Sequence, residues 1–237
     1  MGRLHRYRTA LSRKRRSRGF GVHSPFAFNF VMNVLGERNP YYAYEYLASL
    51  RHSIIATKGH RRQMRVMSLK NAKMLFRITN YFNPSKLLQV GTHYGLSTAS
   101  MMSVSATSHL WLYEPHLEQF PVVAQVMQPF LDDIDCYNDL GVALADYRAA
   151  QGTERPFVLV SDLTEPVDEA PLRRQLEQWL AGDAVVVLRN LSRNKAMWRL
   201  WEHCQACMPH GQSFTNEQIA IIIANPKLPL QHFTLWF

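Results

Sequence analysis

Acidic residues are nearly missing from the first third of this chain. Glu37 and Glu45 are the only two before residue 78, against 17 Lys and Arg. That third carries a net charge of +15 and the remainder −6. So lopsided a region cannot neutralise itself through its own ion pairs. It either meets an anionic partner or stays a solvated, self-repelling segment. Cysteine is scarce too: Cys136, Cys204 and Cys207 in 237 residues. This excludes a disulfide framework and fits a reducing, cytoplasmic compartment. No apolar run approaches the roughly 20 residues of a membrane helix. The basic start lacks an uninterrupted apolar core and a cleavage site, so no secretory signal is expected. An Arg-rich, acid-free start also fits an organelle transit peptide. Stacking aromatics are sparse in the tail, with only Tyr7 before Phe20, which argues against single-stranded nucleic acid. Neither a G-x-G-x-x-G fingerprint nor a P-loop is found, and there is no internal repeat.

What is present falls into three parts: a basic tail over residues 1–18, a helical extension over 19–84 and an α/β domain over 85–237. In the extension, Ser24 suits a helix N-cap and Pro25 a first helical residue. This helix should run through Phe28, Val31, Met32 and Leu35 to a stop at Gly36. A second is expected from Tyr41 to Ile55, and a third from Val66 to Phe82, ended by Asn83-Pro84. From Lys86 onward, short apolar runs alternate with helical patterns. Strands are predicted at Leu87–Val90, Leu110–Tyr113, Ile134–Tyr137, Phe157–Val160 and Ala184–Leu188. Helices are predicted at Leu96–Ser105, Leu117–Phe130, Val142–Ala150, Leu172–Leu180 and Lys195–Met208. That alternation implies a parallel sheet with right-handed crossovers. Gln212–Asn216 and Ile219–Ala224 follow so closely on each other that they must pair antiparallel. The run from Gln231 to Phe237 could add an edge strand.

Ligands of such sheets bind beyond the C-terminal ends of the strands. After the first strand comes Gly91-Thr-His-Tyr-Gly95, with Ser97 and Thr98 at the next helix start. Glycines let a ligand approach the backbone, and a helix start presents unpaired N–H groups. A tight turn without a ligand is the alternative. The second strand ends at Glu114, 23 residues after Gly91, where a carboxylate can accept two hydrogen bonds from a ribose diol. A solvated loop acid is the alternative. Asn138 and Asp139 follow the third strand, where an adenine amino group could be read. His203-Cys-Gln-Ala-Cys-Met-Pro-His210 offers four zinc-ligand side chains. Yet Met197, Leu200, Trp201, Cys204, Cys207 and Met208 fall on one helical stripe, so packed cysteines are expected rather than a metal site.

The order of elements, the Val90-Gly-Thr-His-Tyr-Gly95 loop and Glu114 resemble class I S-adenosylmethionine-dependent methyltransferases. Gly19-Phe-Gly-Val-His-Ser-Pro-Phe26 and Gln231-His-Phe-Thr-Leu-Trp-Phe237 resemble a bacterial group of small O-methyltransferases. The resemblance implies a Rossmann-like three-layer sandwich. Its sheet would be mostly parallel and seven-stranded, with the last strand antiparallel, plus an N-terminal helical extension. It implies S-adenosylmethionine as cofactor, held by Gly91, Thr92, His93, Gly95, Ser97, Thr98, Glu114 and Asp139, with Gln89 and Ser161 at the same strand ends. The chain also departs from the family. Gln89 stands where an acid is usual, Ser161-Asp162 fits the usual aspartate only with a one-residue slip, and Arg189-Asn-Leu-Ser192 replaces paired acids. Met197, Trp198 and Trp201 match the core face of the family's next helix. Related enzymes often hold a divalent cation on carboxylates at these ends. Arg189 would repel one, so no metal is expected.

His93, Asp162 and Arg189 are the candidate catalytic residues, with His116 as a further base. Arg189 could orient an anionic acceptor, or else pair with Asp162 or Asp183. The expected function is metal-free methyl transfer to a small, acidic acceptor. The alternative is a non-catalytic relative whose basic region binds a partner or nucleic acid. No Asn-Pro-Pro-Tyr-type motif and no Pro-Cys nucleophile supports a nucleic-acid methyltransferase. The tail over 1–18 is a candidate polyanion contact. The extension is expected to act as a lid or as a homodimer contact.

Overall fold

Four apolar runs of four or five residues become the centre of one sheet, because each is buried on both faces and too short for a helix, while a fifth, half-exposed run forms one edge. The computed structural model describes residues 24–58, 66–92, 94–117, 121–163 and 169–237. The tail over 1–18 and His93 lie outside the described residues. The strands are β1 (Lys86–Val90), β2 (His109–Tyr113), β3 (Ile134–Tyr137), β4 (Phe157–Val160), β5 (Ala184–Leu188), β6 (Gln212–Thr215), β7 (Ala220–Ala224) and β8 (Gln231–Thr234). Their spatial order is β3-β2-β1-β4-β5-β7-β6-β8. Only β7 opposes the others: it pairs antiparallel with β5 and β6, while β8 pairs parallel with β6. The sheet therefore has eight strands rather than seven. The seventh is the antiparallel one, and the C-terminal run adds a parallel edge.

The helices are α1 (Pro25–Phe30), α2 (Ala43–Lys58), α3 (Leu69–Phe82), α4 (Leu96–Met102), α5 (Pro121–Met127), α6 (Leu140–Gln151), α7 (Ala170–Leu180) and α8 (Lys195–Cys207). Alternating side chains of the strands feed two cores. Leu88, Val90, Val158, Val186 and Ile222 pack beneath α6, α7 and α8. Leu87, Leu112, Leu159, Val187 and Ile221 pack beneath α1, α3, α4 and α5. This is the expected three-layer sandwich. In a third cluster, Leu47 and Ile54 of α2 meet Ala72 and Phe76 of α3 and Tyr94 and Leu96 beside the glycine turn. The extension thus shares its packing with the sheet domain, and α2 lies over the helix that the turn starts.

Boundaries moved where local chemistry outweighed periodicity. The Ser24 side chain does cap α1, accepting from the Ala27 N–H at 3.3 Å. The helix then widens into a π-helical turn over Val31–Leu35. Arg77 holds this turn open, donating to the Val34 carbonyl at 2.7 Å, the Leu35 carbonyl at 3.1 Å and the Tyr44 hydroxyl at 3.1 Å. A helix was expected from Val66, but α3 starts at Leu69 because the Ser68 hydroxyl accepts from the Asn71 N–H and ends the regular ladder there. The long helix expected over Leu117–Phe130 is instead α5 followed by a 3-10 turn over Gln128–Asp133 that begins with Pro129 second. In α8, Met197, Trp201 and Cys204 are buried as the stripe predicts. Trp198 is not on the core face: it is 37% exposed and donates to Glu202 at 2.8 Å.

Candidate functional site

The sheet ladder continues one residue past each central strand. Gly91 N–H donates to the Tyr113 carbonyl at 2.8 Å, and Glu114 N–H to Tyr137 at 3.0 Å. Ser161 N–H donates to Val90 at 2.8 Å, and Arg189 N–H to Val160 at 3.0 Å. Four chemically distinct loop residues are therefore held in register along one edge. This is the edge where the parallel strands end and where ligands of such sheets bind.

Their side chains form a continuous buried network. Gln89, wholly buried on β1, is its hub. Its Nε2 donates to the Gly91 carbonyl at 2.8 Å and to Ser97 Oγ at 3.1 Å. Its Oε1 accepts from Thr98 Oγ1 at 3.0 Å. Thr98 Oγ1 also shares a 2.7 Å bond with Thr92 Oγ1, and the Thr92 N–H donates to Glu114 Oε2 at 2.8 Å. In the other direction Ser97 Oγ lies 3.5 Å from Ser161 Oγ, which accepts from Arg189 Nη1 at 3.1 Å. Every member from Arg189 to Glu114 is at most 7% exposed. Such groups are held in protein only when hydrogen-bonded.

The glycine turn owes its residues partly to the fold itself. Gly91 has φ +75° and Gly95 φ +77°, where L side chains are strained. A Cβ on Gly91 would come within 3.0 Å of the Asp162 carbonyl. One on Gly95 would come within 2.9 Å of Val126 Cγ1. The chain's own backbone and α5 thus already approach these two glycines closely. Ser97 and Thr98 sit in the first turn of α4, but their hydroxyls point into the Gln89 network.

Glu114 is buried to 7% exposure beside the turn. Burial, helped by the Glu114 and Asp139 carboxylates, pushes the Tyr113 phenol up, so both acids act on that corner. Asp139 is exposed and caps α6, accepting from the Val142 N–H at 2.9 Å. A carboxylate at the end of β2 and another at the start of α6 fit the polar end of a nucleoside. Gln89 fits an ammonium group less well, because its carbonyl oxygen already accepts from Thr98 and its amide hydrogens are both used.

At the far end of the network, Arg189 and Asp162 flank the loops after β4 and β5. Burial lowers the Arg189 guanidinium to about 10, against the opposing pull of Asp162, so it is charged at neutral pH. The Asp162 carboxylate accepts from Asn194 Nδ2, from the Leu163 N–H at 3.0 Å and from Asn190 Nδ2 at 3.5 Å. Asn190, at φ +59°, also donates to the Ser161 carbonyl at 2.9 Å. Asp183 is not a partner of Arg189: it pairs with Arg155 at 2.7 Å. A cleft of about 120 Å³ opens here, bounded by Arg189, Asn190 and Arg193 on one side and by Ser68 and Asn71 at the start of α3 on the other. No acid lines it. Among the described residues, no three His, Cys, Asp or Glu converge to hold a metal ion.

The strand-end residues named from the sequence lie along one sheet edge, and Asn194, which the sequence did not single out, joins them there. Asn194 caps α8, its Oδ1 accepting from Ala196 N–H at 2.8 Å, while its Nδ2 ties down Asp162 and the Leu163 carbonyl. The signal was an Asn directly before a helical stripe, which reads only as a cap. His116 is half-buried after β2 and is not among the residues that line the cleft.

No family model matches the chain, and no curated protein matches it. Solved structures do share its fold. The O-methyltransferase from Bacillus cereus in complex with SAH aligns at TM-score 0.53 and 15% identity, over 82% of this chain and 96% of that one. The O-methyltransferase TomG from Streptomyces achromogenes, involved in tomaymycin synthesis and in complex with SAM, aligns at 0.51 and 12%, over 91% and 98%. A methyltransferase from Geobacter sulfurreducens aligns at 0.53 and 11%, over 79% and 92%. The chain thus shares its fold with these solved methyltransferases.

Proposed function

We propose that this protein is an S-adenosylmethionine-dependent methyltransferase that acts on a small acidic acceptor without a metal ion. The observation that carries the reading is the buried chain of hydrogen bonds from Glu114 to Arg189, which ties a nucleoside-type corner to a cationic cleft at one sheet edge. The fold shared with SAM- and SAH-bound methyltransferases supports it.

Bound here, the cofactor would supply an electrophilic methyl group. Glu114 would take the ribose hydroxyls, and the turn from Gly91 to Gly95 would present backbone. Asp139 stands where an adenine amino group would lie. In-line transfer from a sulfonium depends mainly on alignment, and that is what rigid strand ends provide. The network fixes Arg189 through Ser161 at the wall of the cleft. A guanidinium there can orient a carboxylate or phosphate by a two-point contact. Its charge also favours the deprotonated form of a nearby acceptor hydroxyl. A divalent cation does not fit, because this buried guanidinium stands where an oxygen ligand would be needed.

Calorimetric titration with S-adenosylmethionine and S-adenosylhomocysteine tests the reading. Both should bind, and Glu114→Ala should weaken them at least several-fold. Absence of heat and of a thermal shift at millimolar ligand would refute cofactor binding. Unchanged affinity in Glu114→Ala would refute the ribose assignment.

A further inference from the structure

The site above leaves a cationic stripe on α3 unexplained. Lys70, Lys73 and Arg77 fall on one helical face, and α3 contains no acidic residue. Lys70 lies in the first turn, where the helix dipole opposes a cation. The like charges at three- and four-residue spacing also repel one another. Nearby structure relieves this only in part. None of the ion pairs among the described residues involves Lys70, Lys73 or Arg38. Glu37 is the one acid among the described residues that line the cleft beside these cations, and its Oε1 accepts from the Arg38 and Asn39 N–H groups, each at 2.7 Å. Lys73 rests 4.5 Å from the Tyr44 ring centroid, and Arg77 is occupied with the π-helical turn.

The stripe borders a cleft of about 390 Å³ with a floor of Val31, Leu35 and Leu235. That volume is within the range of small-molecule sites, about 300–1,000 Å³. Trp236, 62% exposed, stands at its wall. β8 runs parallel with the central strands, so Leu235 and Trp236 lie at the same sheet edge as the glycine turn. Asn71 lines the acceptor cleft and Lys70 this one, so the first turn of α3 separates two distinct pockets.

We propose that this second cleft binds an amphipathic organic anion. Its carboxylate would sit between Lys70 and Lys73, and its aliphatic or aromatic body would lie on Val31, Leu35 and Leu235. The cations select the sign of the head group, and the apolar floor selects a ligand with a body to bury. A small inorganic anion meets only the first requirement and a neutral oil only the second. The chain's own N-terminal tail is excluded as occupant by its charge, which matches that of the rim.

The test is calorimetry on the full chain with decanoate below its micellar concentration. Decanol, decyltrimethylammonium and inorganic phosphate serve as comparisons. Decanoate should bind one to one, and the three comparison compounds at least tenfold more weakly. The double variant Lys70→Gln/Lys73→Gln should lose at least tenfold in decanoate affinity while its thermal midpoint does not fall, since the charge repulsion within α3 is relieved. It should keep its affinity for S-adenosylhomocysteine, so this proposal and the cofactor reading fail separately. Trp236→Ala, at an exposed position, should weaken decanoate without touching the cations. Equal binding of decanol, phosphate as tight as decanoate, or indifference to the double lysine variant would overturn the proposal. So would sedimentation with phosphatidylglycerol vesicles in the absence of decanoate binding, which would mark a membrane surface instead.

Discussion

Replacing Gln89 with Met tests the buried network at its hub. The two side chains have nearly the same length, so the substitution removes hydrogen bonds while leaving the space filled. Three bonds disappear: those to the Gly91 carbonyl, to Ser97 and from Thr98. Each contributes on the order of 1 kcal/mol net. Thr98 retains Thr92, and Ser97 retains Ser161. The Gly91 carbonyl loses its side-chain donor, which costs about 1–3 kcal/mol if nothing replaces it. The expected destabilisation is about 2–4 kcal/mol, a large part of the roughly 5–15 kcal/mol that holds a domain together. At about 2–4 °C per kcal/mol for a chain of this size, the thermal midpoint should fall by roughly 5–15 °C. Urea unfolding followed by circular dichroism measures it, and an unchanged m-value shows that only stability moved.

Gln89→Glu sharpens the test. Its carboxylate would face the Gly91 carbonyl with no hydrogen to offer, so burial and repulsion should raise its folded pKa above the unfolded value. The group's protonated form is then the one the fold tolerates. This variant should be least stable at neutral pH and recover as pH falls through the raised folded pKa towards the unfolded one. A loss below about 0.5 kcal/mol for Gln89→Met, within the range of ordinary surface changes, would mean that the network is not what holds the strand ends.

Three further outcomes follow from other residues. Asn194→Ala removes the α8 cap and the ties to Asp162 and Leu163, so equilibrium unfolding should show a loss of about 2–3 kcal/mol, the cap alone accounting for about 1. A loss no greater than that of an ordinary cap would mean the Asp162 ties contribute nothing. Gly95→Ala adds a Cβ at φ +77° and against Val126; it should cost roughly 1–3 kcal/mol and lower S-adenosylhomocysteine affinity in the same titrations, and a neutral result would show that the turn relaxes freely. Burial lowers the His232 pKa from 6.5, while its Nδ1 meets Ser213 Oγ at 2.7 Å. The neutral ring is favoured in the fold, so stability should be full above about pH 6.5 and decline below it as the unfolded chain takes up the proton first. The exposed edge of the ring keeps this decline small, and His232→Gln should remove it from the pH profile of the melting temperature.

The architecture was legible because its signals are local and periodic. The apolar runs ending at Val90, Tyr113, Tyr137, Val160 and Leu188 each became a strand end at the expected residue. Crossover handedness fixes the face each connecting helix takes, but the strand order itself appears only in the structure. Partnering was less legible. Gln89 read as a weakened ligand, because a sequence does not show that Ser97, Thr98 and Ser161 turn inward to meet it. Arg189 read as either a substrate contact or an ion pair, and its actual tie to Ser161 joins two loops 28 residues apart. The π-helical turn at Val31–Leu35 was hidden for a similar reason: its stabiliser, Arg77, comes from a different helix. Periodicity reports which face of an element is buried, and it does not report which polar groups meet there.

The continuity of the network also constrains the order in which this site could have changed. An acid introduced alone at residue 89 would face a carbonyl, and one introduced alone at residue 189 would leave Ser161 without its donor. Either single step crosses a folding penalty before any new chemistry is gained. Building a carboxylate cluster at these strand ends would need at least Gln89, Ser161 and Arg189 to change together. Directed evolution by single substitutions should therefore alter the rim of the cleft, at Ser68, Asn71 or Arg193, long before it alters the hub.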